Sequence, residues 1–367
     1  MIRFKTFVSS CTLFVVLFGL LYVLFPNQLF IQNKEDTFET KSSTVAMNSS
    51  SSSMSPIMTP SSPYHHYNEP PKNVKHPTVR KTDLIYDTHR NTPPIVNEEY
   101  NTIFFLVAKA GSSEWIRFFL RLINDHTWCS NKNIHDTKKN GLKYLSDYTM
   151  EEARQMMIDP KWNKAIFVRH PKPRVLSAFL DKAVSKTDMF IEHYCDAYRR
   201  HGKDFEECLN NHENFEFFIK EIIPTLSLNV HWRTIYSRVD EKWWPYINYV
   251  GYMESLSDHA KTFLQSIHSN IDGISAWDKI GKSGWSDNER SCKNVVNATG
   301  EFLAQRDKIH TMNARQKMLE FYTPELEKIV EDYYWDDLNN QYFQFKPIKL
   351  FDNNNNNSLL FDKDDRI

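Results

Sequence analysis

Two short stretches of the chain carry residues suited to binding a phosphate or sulfate group. In the first, Lys109, Gly111, Ser112 and Ser113 follow the apolar run Ile103–Val107 and precede apolar residues at helical spacing. A loop that opens a helix in this way points backbone N–H groups and the positive end of the helix dipole at one spot. The pattern predicts an anion site in which one of the serines can cap the helix, although a plain helix cap beside a solvated lysine would look the same.

The first loop does not have the Walker A spacing, which requires a glycine, four intervening residues and then Gly-Lys. With Lys109 as that lysine, Ile103 and Ala108 would occupy the two glycine positions. A nucleotide-dependent kinase would also need a magnesium-binding carboxylate, and no Walker B-type carboxylate stands out. A kinase is therefore the less favoured class, and we predict no metal site.

The second stretch places another positive charge directly after another short apolar strand. Arg169 follows Ala165–Val168, Pro171 and Pro173 force a turn, and the residues from Val175 onward have helical spacing. A strand, a charged turn and a helix thus occur twice. This is typical of an α/β sheet that binds ligands at the carboxyl ends of its strands.

Together the two loops resemble those of the carbohydrate sulfotransferases, in particular the Golgi enzymes that sulfate chondroitin, dermatan and related glycans. The 5′-phosphosulfate loop of that family resembles residues 108–115, and its 3′-phosphate loop resembles residues 169–177. Ala108 stands where the family usually has proline, and Glu114 stands where asparagine is common. The resemblance extends over residues of about 100–345, with four matching elements in the same order.

The resemblance implies a P-loop-like three-layer α/β fold with a central parallel sheet. It also implies 3′-phosphoadenylyl sulfate as donor and a glycan or proteoglycan hydroxyl as acceptor, such as the 4-hydroxyl of a chondroitin-type N-acetylgalactosamine. Lys109 and the amides of residues 110–113 would stabilise charge on the leaving phosphate, and Arg169 and Ser177 would hold the 3′-phosphate. The implied donor-binding residues are Ala108, Lys109, Ala110, Gly111, Ser112, Ser113, Glu114, Arg169, Arg174 and Ser177.

Two further side chains match the family and are candidates for the general base. His231 lies in the His-Trp element of residues 229–236, and Glu254 lies close to the end of a short predicted strand. A sugar hydroxyl is a poor nucleophile, so a positioned base with a pKa near neutrality would assist its attack. We therefore predict Lys109, His231 and Glu254 as the catalytic residues. A structural role is the alternative for His231, which is one of 14 histidines.

The N-terminal part of the chain has the composition of a membrane anchor followed by a stem. Residues 7–25 carry no charge and are long enough to cross a bilayer as a helix, and Arg3 and Lys5 before them place residues 1–6 in the cytosol. No small-x-small cleavage site closes the span, which favours an uncleaved signal anchor over a cleaved signal peptide. Residues 26–97 are predicted to be a disordered stem because Ser, Thr and Pro are frequent there.

This organisation predicts a single-pass type II protein of the Golgi membrane. Its lumenal sulfotransferase domain would comprise residues 98–347, followed by a disordered tail at residues 348–367. N-glycosylation sequons begin at Asn48, Asn297 and Asn356, in agreement with a lumenal glycoprotein. The net charge of −1 gives no basic field that would favour a nucleic-acid partner. The sequence does not indicate an oligomeric state.

Four of the five cysteines fall in the predicted lumenal part, where disulfides persist. Four cysteines allow three pairings. The polar segment 196–207 could form a closed loop, which favours a Cys195–Cys208 bond and leaves Cys129–Cys292 by default. Free buried thiols are the alternative, and no Cys/His spacing indicates zinc.

The elements around the loops are predicted from apolar spacing and capping residues. Residues 141–163 are expected to be helical up to Asp159-Pro160, and a last helix should begin with Thr323 as N-cap and Pro324 at its first position. A second class of function stays open beside the transferase. It is a lumenal glycan- or nucleotide-binding protein of the same fold with weak or no catalysis, which the unusual residues of the first loop would favour.

Overall fold

The computed structural model of the protein describes residues 76–351, apart from residue 90 and residues 126–127, 129–133, 185–187 and 282–312. The strands of this part are β1 (Ile95–Asn97), β2 (Thr102–Phe105), β3 (Lys143–Tyr144), β4 (Asn163–Val168) and β5 (Tyr249–Tyr252). They form one sheet in the order β3-β1-β2-β4-β5. β2, β4 and β5 run parallel, whereas β1 is antiparallel to both of its neighbours.

The predicted central parallel sheet is therefore confirmed for the three strands that carry the motif loops. The sheet as a whole is mixed, because a short antiparallel edge of β1 and β3 completes it. β2 and β4 are direct neighbours, with Phe105 opposite Ile166 near their carboxyl ends. The loops that leave these two strands must consequently start side by side.

Helices surround the sheet. The α-helices of the described residues are α1 (Ser112–Leu122), α2 (Met150–Ile158), α3 (Pro171–Phe179), α4 (Asp188–Arg200), α5 (Phe205–Asn211), α6 (Phe215–Phe217), α7 (Ile223–Thr225), α8 (Leu256–Ser266), α9 (Ala276–Lys279), α10 (Met318–Phe321), α11 (Pro324–Tyr333) and α12 (Trp335–Asn339). Wider π-helical turns follow α3 at Leu180–Val184 and α6 at Phe218–Ile222. The 3₁₀ turns are Leu145–Asp147, Tyr236–Arg238, Glu241–Tyr246 and Met253–Ser255.

Two helix predictions can be compared with these bounds. Thr323 caps α11 by accepting a hydrogen bond from the Leu326 amide, and Pro324 is its first residue, as predicted. The helix expected over residues 141–163 occupies only α2, which Thr149 and Glu152 begin with a capping box. The residues before α2 instead pair as β3 at the edge of the sheet, where β1 offers hydrogen-bonding groups to them.

Alternate residues of the central strands face opposite layers of the fold. Phe104 and Phe167 pack on the face covered by α1 and α8, whereas Ile103 and Ile166 pack on the face covered by α2. The ring centroid of Trp115 in α1 lies 4.5 Å from that of Phe104 and 4.4 Å from that of Phe167. This aromatic contact fixes the start of α1, and with it the first loop, on the sheet.

Glycine is required at residue 251 in β5. A Cβ atom built there would lie 2.4 Å from the Phe167 ring of the neighbouring strand. Such a distance is far below van der Waals contact, so a side chain at this position would push β5 away from β4. β5 leads into the turn that carries Glu254, and its close approach to β4 sets the position of that carboxylate.

The folded domain extends beyond both of its predicted boundaries. Residues 76–97 were assigned to the disordered stem, but Val79, Ile85 and Val96 are buried in the core and β1 belongs to the sheet. The Asp240 carboxylate also accepts a hydrogen bond from the Leu84 amide at 2.6 Å. At the other end Leu350, assigned to the tail, is fully buried. The N-terminal boundary was predicted too late in the chain because these few apolar residues lie in a segment that also contains several prolines.

Several predictions of the N- and C-terminal parts lie outside the described residues. These are the anchor at residues 7–25, the stem before residue 76, the tail after residue 351 and the three sequons. Within the part of the chain that the structure describes, no helix has both the length and the apolar character needed to cross a membrane.

The predicted Cys195–Cys208 disulfide is confirmed. It joins α4 to α5 with a Cα–Cα distance of 5.5 Å, and both cysteines are buried in a third apolar cluster formed mainly by α3 to α7 and the C-terminal helices. Cys129 and Cys292 are not among the described residues, so their pairing stays a prediction.

Candidate active site

The first loop leaves β2 and turns sharply into α1. Lys109 and Gly111 both have left-handed backbone conformations, with φ angles of 66° and 77°. Positive φ is uncommon for a residue with a side chain and is frequent at functional sites. Gly111 is itself the N-cap of α1, so neither serine caps the helix. A Cβ on Gly111 would lie 3.6 Å from the Met253 sulfur, which packs against the loop.

The main-chain amides of this loop differ in their hydrogen bonding. The Ala110 amide donates to the Val107 carbonyl at 3.2 Å, so this member of the predicted amide group is engaged within the loop. The amides of residues 111–113 open α1, where N–H groups have no partner inside the helix. Ser113 contacts His135, with 3.1 Å between its Oγ atom and the ring Nε2 atom, and Glu114 lies in the first turn, where an acidic side chain suits the helix dipole.

The second loop is joined to the first by two arginines. Arg169 follows β4, and its Nη1 atom donates to the Lys109 carbonyl at 3.1 Å. Arg174 in α3 donates through Nε to the Ala108 carbonyl at 3.2 Å and through Nη1 to the Arg233 carbonyl at 2.8 Å. Arg174 is completely buried, and its hydrogen bonds hold the first loop in position from inside the protein. Arg169 is half-buried at the carboxyl end of β4.

The Lys109 ammonium lies in a small group of charges. Its Nζ atom is 3.3 Å from the Asp181 carboxylate, which is also 3.1 Å from the Lys182 ammonium. Burial lowers the pKa of Lys109 to about 8, and the charge of Asp181 opposes this shift. Lys109 is therefore still mainly protonated at neutral pH, but its pKa lies only about one unit above that pH.

His231 belongs to the same group. Burial, followed by the charges of Lys182 and Lys109, lowers the pKa of His231 to about 3. The imidazole is therefore neutral at physiological pH, which is the form that can accept a proton. Its Nδ1 atom is buried and has no hydrogen-bond partner among the described residues. We call Lys109, Asp181, Lys182 and His231 the Lys109 cluster.

Glu254 lies behind the second loop. Its Oε1 atom accepts a hydrogen bond from the His170 amide at 2.8 Å, and its charge interacts with Arg169 and Arg315. Burial raises the pKa of Glu254, and the His170 amide and Arg169 act against this shift. These contacts place Glu254 as a support of Arg169 and of the second loop, rather than at the Lys109 ammonium.

The family model described as the sulfotransferase family matches residues 93–345, which is more than half of the chain. The chain belongs to the sulfotransferase family. It is 28% identical over 186 residues to carbohydrate sulfotransferase 9 of Homo sapiens, covering 47% of this chain and 40% of that protein. It is 26% identical over 184 residues to carbohydrate sulfotransferase 8 of Mus musculus, covering 47% of this chain and 43% of that protein. No solved structure gives a significant match.

The chain thus spans less than half the length of the curated relatives it matches. The predicted relationship to sulfotransferases is confirmed at the level of the family. The relatives' names support the carbohydrate branch, while the chondroitin-type acceptor and the Golgi location stay predictions.

The charged side chains around the two loops are mostly cationic. Four cationic side chains (Lys109, Lys182, Arg169 and Arg315) interact with two carboxylates (Asp181 and Glu254) around the two loops. Among these six side chains the positive charges outnumber the negative charges, which suits an anionic ligand. Within the described ranges no group of His, Cys, Asp and Glu side chains could hold a metal ion.

Another lysine of the second loop has a different environment. The Lys172 ammonium is buried and contacts Glu327, the Ile348 carbonyl and, at 2.7 Å, Glu331. The Lys172 carbonyl accepts a hydrogen bond from the Tyr322 hydroxyl at 2.9 Å. We call Lys172, Glu327, Glu331, Tyr322 and the Ile348 carbonyl the Lys172 network. It ties the second loop to α11 and to the C-terminal end of the described chain.

The predicted site residues did not include Asp181, Lys182 or Arg315. Asp181 and Lys182 lie just beyond residues 169–177, the stretch that resembles the family's loop and that ends at Ser177, which is buried in α3. The π-helical turn that carries them is frequent at functional sites, but apolar spacing does not distinguish it from an α-helix. Arg315 is a single arginine outside any motif, and no sequence signal marks it.

Proposed function

We propose that this protein transfers a sulfuryl group from 3′-phosphoadenylyl sulfate to a carbohydrate hydroxyl. The observation that carries the proposal is the hydrogen bond from Arg169 to the Lys109 carbonyl, which joins the two motif loops at one edge of the sheet. Membership of the sulfotransferase family and the names of two relatives support the same reaction.

In this proposal the two loops bind opposite ends of the donor. Lys109 and the amides of residues 111–113 face the 5′-phosphosulfate, where they stabilise negative charge as the sulfur–oxygen bond breaks. Arg169 and Ser177 bind the 3′-phosphate, and Arg174 and Glu254 hold the loops in place. The backbone carbonyl of Lys109 thus couples the position of one binding group to the other.

His231 is the general base of the proposed reaction. The acceptor oxygen forms a bond to sulfur, the bond from sulfur to the bridging phosphate oxygen breaks, and its electron pair leaves with the nucleotide. The proton of the acceptor hydroxyl passes to the His231 ring, which is neutral and lies among the charges of the Lys109 cluster. A bound anionic donor raises the pKa of His231, because negative charge offsets that of Lys109 and Lys182.

The finer assignments are part of the same proposal. We propose a glycan or proteoglycan acceptor, with the 4-hydroxyl of a chondroitin-type N-acetylgalactosamine as the first candidate. We also propose that the protein is anchored in the Golgi membrane with its catalytic domain in the lumen. A binding protein without turnover is the second candidate, because Ala108 and Glu114 depart from the residues usual in the first loop.

A transfer assay with ³⁵S-labelled donor and a panel of glycans tests this proposal. We expect the wild-type protein to label at least one glycan and Lys109→Ala to lower the rate by about 10²–10³-fold. Arg169→Ala should mainly weaken donor binding, by about 10–100-fold, since hydrogen bonds to charged groups contribute about 1.5–3 kcal/mol.

Calorimetry with adenosine 3′,5′-bisphosphate separates the two candidate functions. Binding of this nucleotide without labelling of any glycan would favour the binding protein. Equal transfer rates in the wild type and both variants would overturn the assignment of the site.

A further inference from the structure

Asp181 and Lys182 lie at the Lys109 ammonium, although neither was predicted to contact the donor. The Asp181 Oδ2 atom is 3.3 Å from the Lys109 Nζ atom and 3.1 Å from the Lys182 Nζ atom. One carboxylate oxygen therefore bridges two ammonium groups. All three side chains are between 15% and 18% exposed, which is enough for access by a ligand and little enough to strengthen their electrostatic interactions.

The backbone explains how two consecutive residues reach one place. Neighbouring side chains of a helix normally point in different directions. Asp181 and Lys182 occupy the π-helical turn Leu180–Val184, directly after α3, and the Lys182 side chain turns back to meet the Asp181 carboxylate. The turn thus directs a second ammonium group toward the end of the first loop.

The charge of Lys182 acts on a histidine beside the first loop and on the proposed base. Loss of solvation lowers the pKa of His135, and the charge of Lys182 adds to this shift. His135 contacts Ser113 at the start of α1. Lys182 is also the charge with the largest effect on the pKa of His231. These effects agree with the contact geometry, in which Lys182 and Lys109 meet at the Asp181 carboxylate.

We propose that Lys182 is a second cationic contact of the sulfuryl group beside Lys109, and that Asp181 is a positioning residue that holds both ammonium groups. This inference rests on the proposed sulfotransferase function. Two ammonium groups this close repel each other, and the shared carboxylate offsets that repulsion before the donor binds. When the donor is present, its sulfuryl oxygens supply further negative charge between the same two groups.

Lys182 takes no part in covalent chemistry in this scheme. The acceptor oxygen still forms the new bond to sulfur, the hydroxyl proton still passes to His231, and the electron pair of the broken bond still leaves with the nucleotide phosphate. Lys182 stabilises charge on the sulfuryl oxygens during the transfer. Its contribution should consequently appear in kcat and hardly at all in the affinity for a nucleotide that lacks the sulfuryl group.

The test compares Lys182→Ala, Lys182→Arg and Asp181→Asn with the wild type in the transfer assay, using the full chain. For Lys182→Ala we expect kcat to fall by about 10²-fold, with affinity for adenosine 3′,5′-bisphosphate within about twofold of wild type. Lys182→Arg should restore most of the rate, because it keeps the charge. Asp181→Asn should move the alkaline limb of kcat/KM to lower pH, since Lys109 loses the carboxylate that favours its charged form.

A matched control is the exposed ion pair of Lys328 and Asp332 on α11, 2.9 Å apart. Lys328→Ala and Asp332→Asn should leave kcat and the pH profile unchanged. Thermal unfolding checks that each variant is folded, and Lys182→Gln replaces Lys182→Ala if the latter does not fold.

A folded Lys182→Ala or Lys182→Gln variant with wild-type kcat would overturn the role of Lys182. So would an equal loss of kcat and of bisphosphate affinity. An unchanged alkaline limb in Asp181→Asn would overturn the role of Asp181. Failure of the wild type to transfer sulfate or bind the bisphosphate would instead overturn the proposed function itself.

Discussion

Lys109 and Lys172 follow neighbouring strands of the same sheet, and both ammonium groups are removed from bulk water, yet their environments differ. The Lys109 side chain is 16% exposed and shares a single carboxylate with Lys182. The Lys172 side chain is 1% exposed and contacts two carboxylates and a main-chain carbonyl. A further anion can therefore reach the Lys109 cluster from the solvent, whereas the Lys172 ammonium is enclosed by groups of its own chain.

This difference indicates that lysines in adjacent motif loops have different roles: one can interact with a ligand, and the other stabilises the fold. A lysine surrounded by oxygen atoms of its own chain holds elements together, here the second loop, α11 and the C-terminal segment. A lysine whose pKa burial has lowered to about 8 keeps an unfavourable charge in the free protein. An anionic ligand that binds beside such a charge would stabilise it.

Replacing Lys172 should have the largest effect and should act on stability. Lys172→Ala leaves Glu327 and Glu331 without their buried counter-ion, so we expect the free energy of unfolding to fall by about 3–5 kcal/mol. Urea denaturation followed by tryptophan fluorescence measures this. Lys109→Ala is the matched variant and should unfold close to the wild-type midpoint. A similar loss in both variants would remove the distinction between the two lysines.

The two candidate bases provide the next comparison, because His231 lies in the Lys109 cluster and Glu254 supports the second loop. We expect His231→Gln to lower kcat by about 10²–10⁴-fold, the usual range for loss of a general base. Glu254→Gln should keep kcat within about tenfold, since the amide oxygen can still accept the His170 hydrogen bond. Steady-state kinetics at saturating donor measures both. The reverse order of effects would make Glu254 the base.

The pH dependence of kcat/KM for the donor should report Lys109. The protonated ammonium is the active form and its pKa is lowered to about 8, so the rate should be constant below this value and fall as pH rises through it. In Lys109→Arg the guanidinium stays charged to above about pH 12, so the alkaline limb should disappear from the measurable range. Persistence of the limb in this variant would assign it to another group.

The smallest effect is expected where both members of the buried Lys172–Glu327 pair are replaced together. The double variant Lys172→Met/Glu327→Gln removes the buried ion pair and leaves only Glu331 without its ammonium partner, and the Glu331 side chain is 45% exposed to solvent. Replacement of a buried pair in this way is often nearly neutral. Its transfer rate and its alkaline limb should match the wild type within about threefold, as expected of a network that does not touch the donor. A large loss of transfer in a stably folded double variant would place Lys172 in the binding site.

Much of the architecture was predictable because it depends on local patterns. Apolar runs such as Ala165–Val168 identified the parallel strands, and the placement of Lys109 and Arg169 after two of these strands predicted two loops at one edge of the sheet. The Thr323 cap and the Cys195–Cys208 bond were likewise predictable from short segments. In each case the determining residues lie close together in sequence.

Features that depend on tertiary contacts were not predictable in this way. Arg174 matches the motif of a donor-binding loop, but the motif does not reveal its burial or its hydrogen bond to the Ala108 carbonyl. The sequence named Glu254 as a candidate base but gave no sign of its hydrogen bond from the His170 amide, which holds it at the second loop. Residues 76–97 were assigned to the stem because their composition does not reveal that the domain provides a surface for Val79 and Ile85.

The contact between Lys172 and the Ile348 carbonyl has a consequence for biosynthesis. The N-terminal loops are translated long before residues 348–350, which supply an oxygen partner for Lys172 and a main-chain donor for Glu327, the Leu350 amide at 2.9 Å. The Lys172 network is therefore complete only when nearly all of the described chain has left the ribosome. Until then the second loop lacks its connection to the C-terminal segment, and a chain that stops before residue 348 lacks part of the network that stabilises the domain.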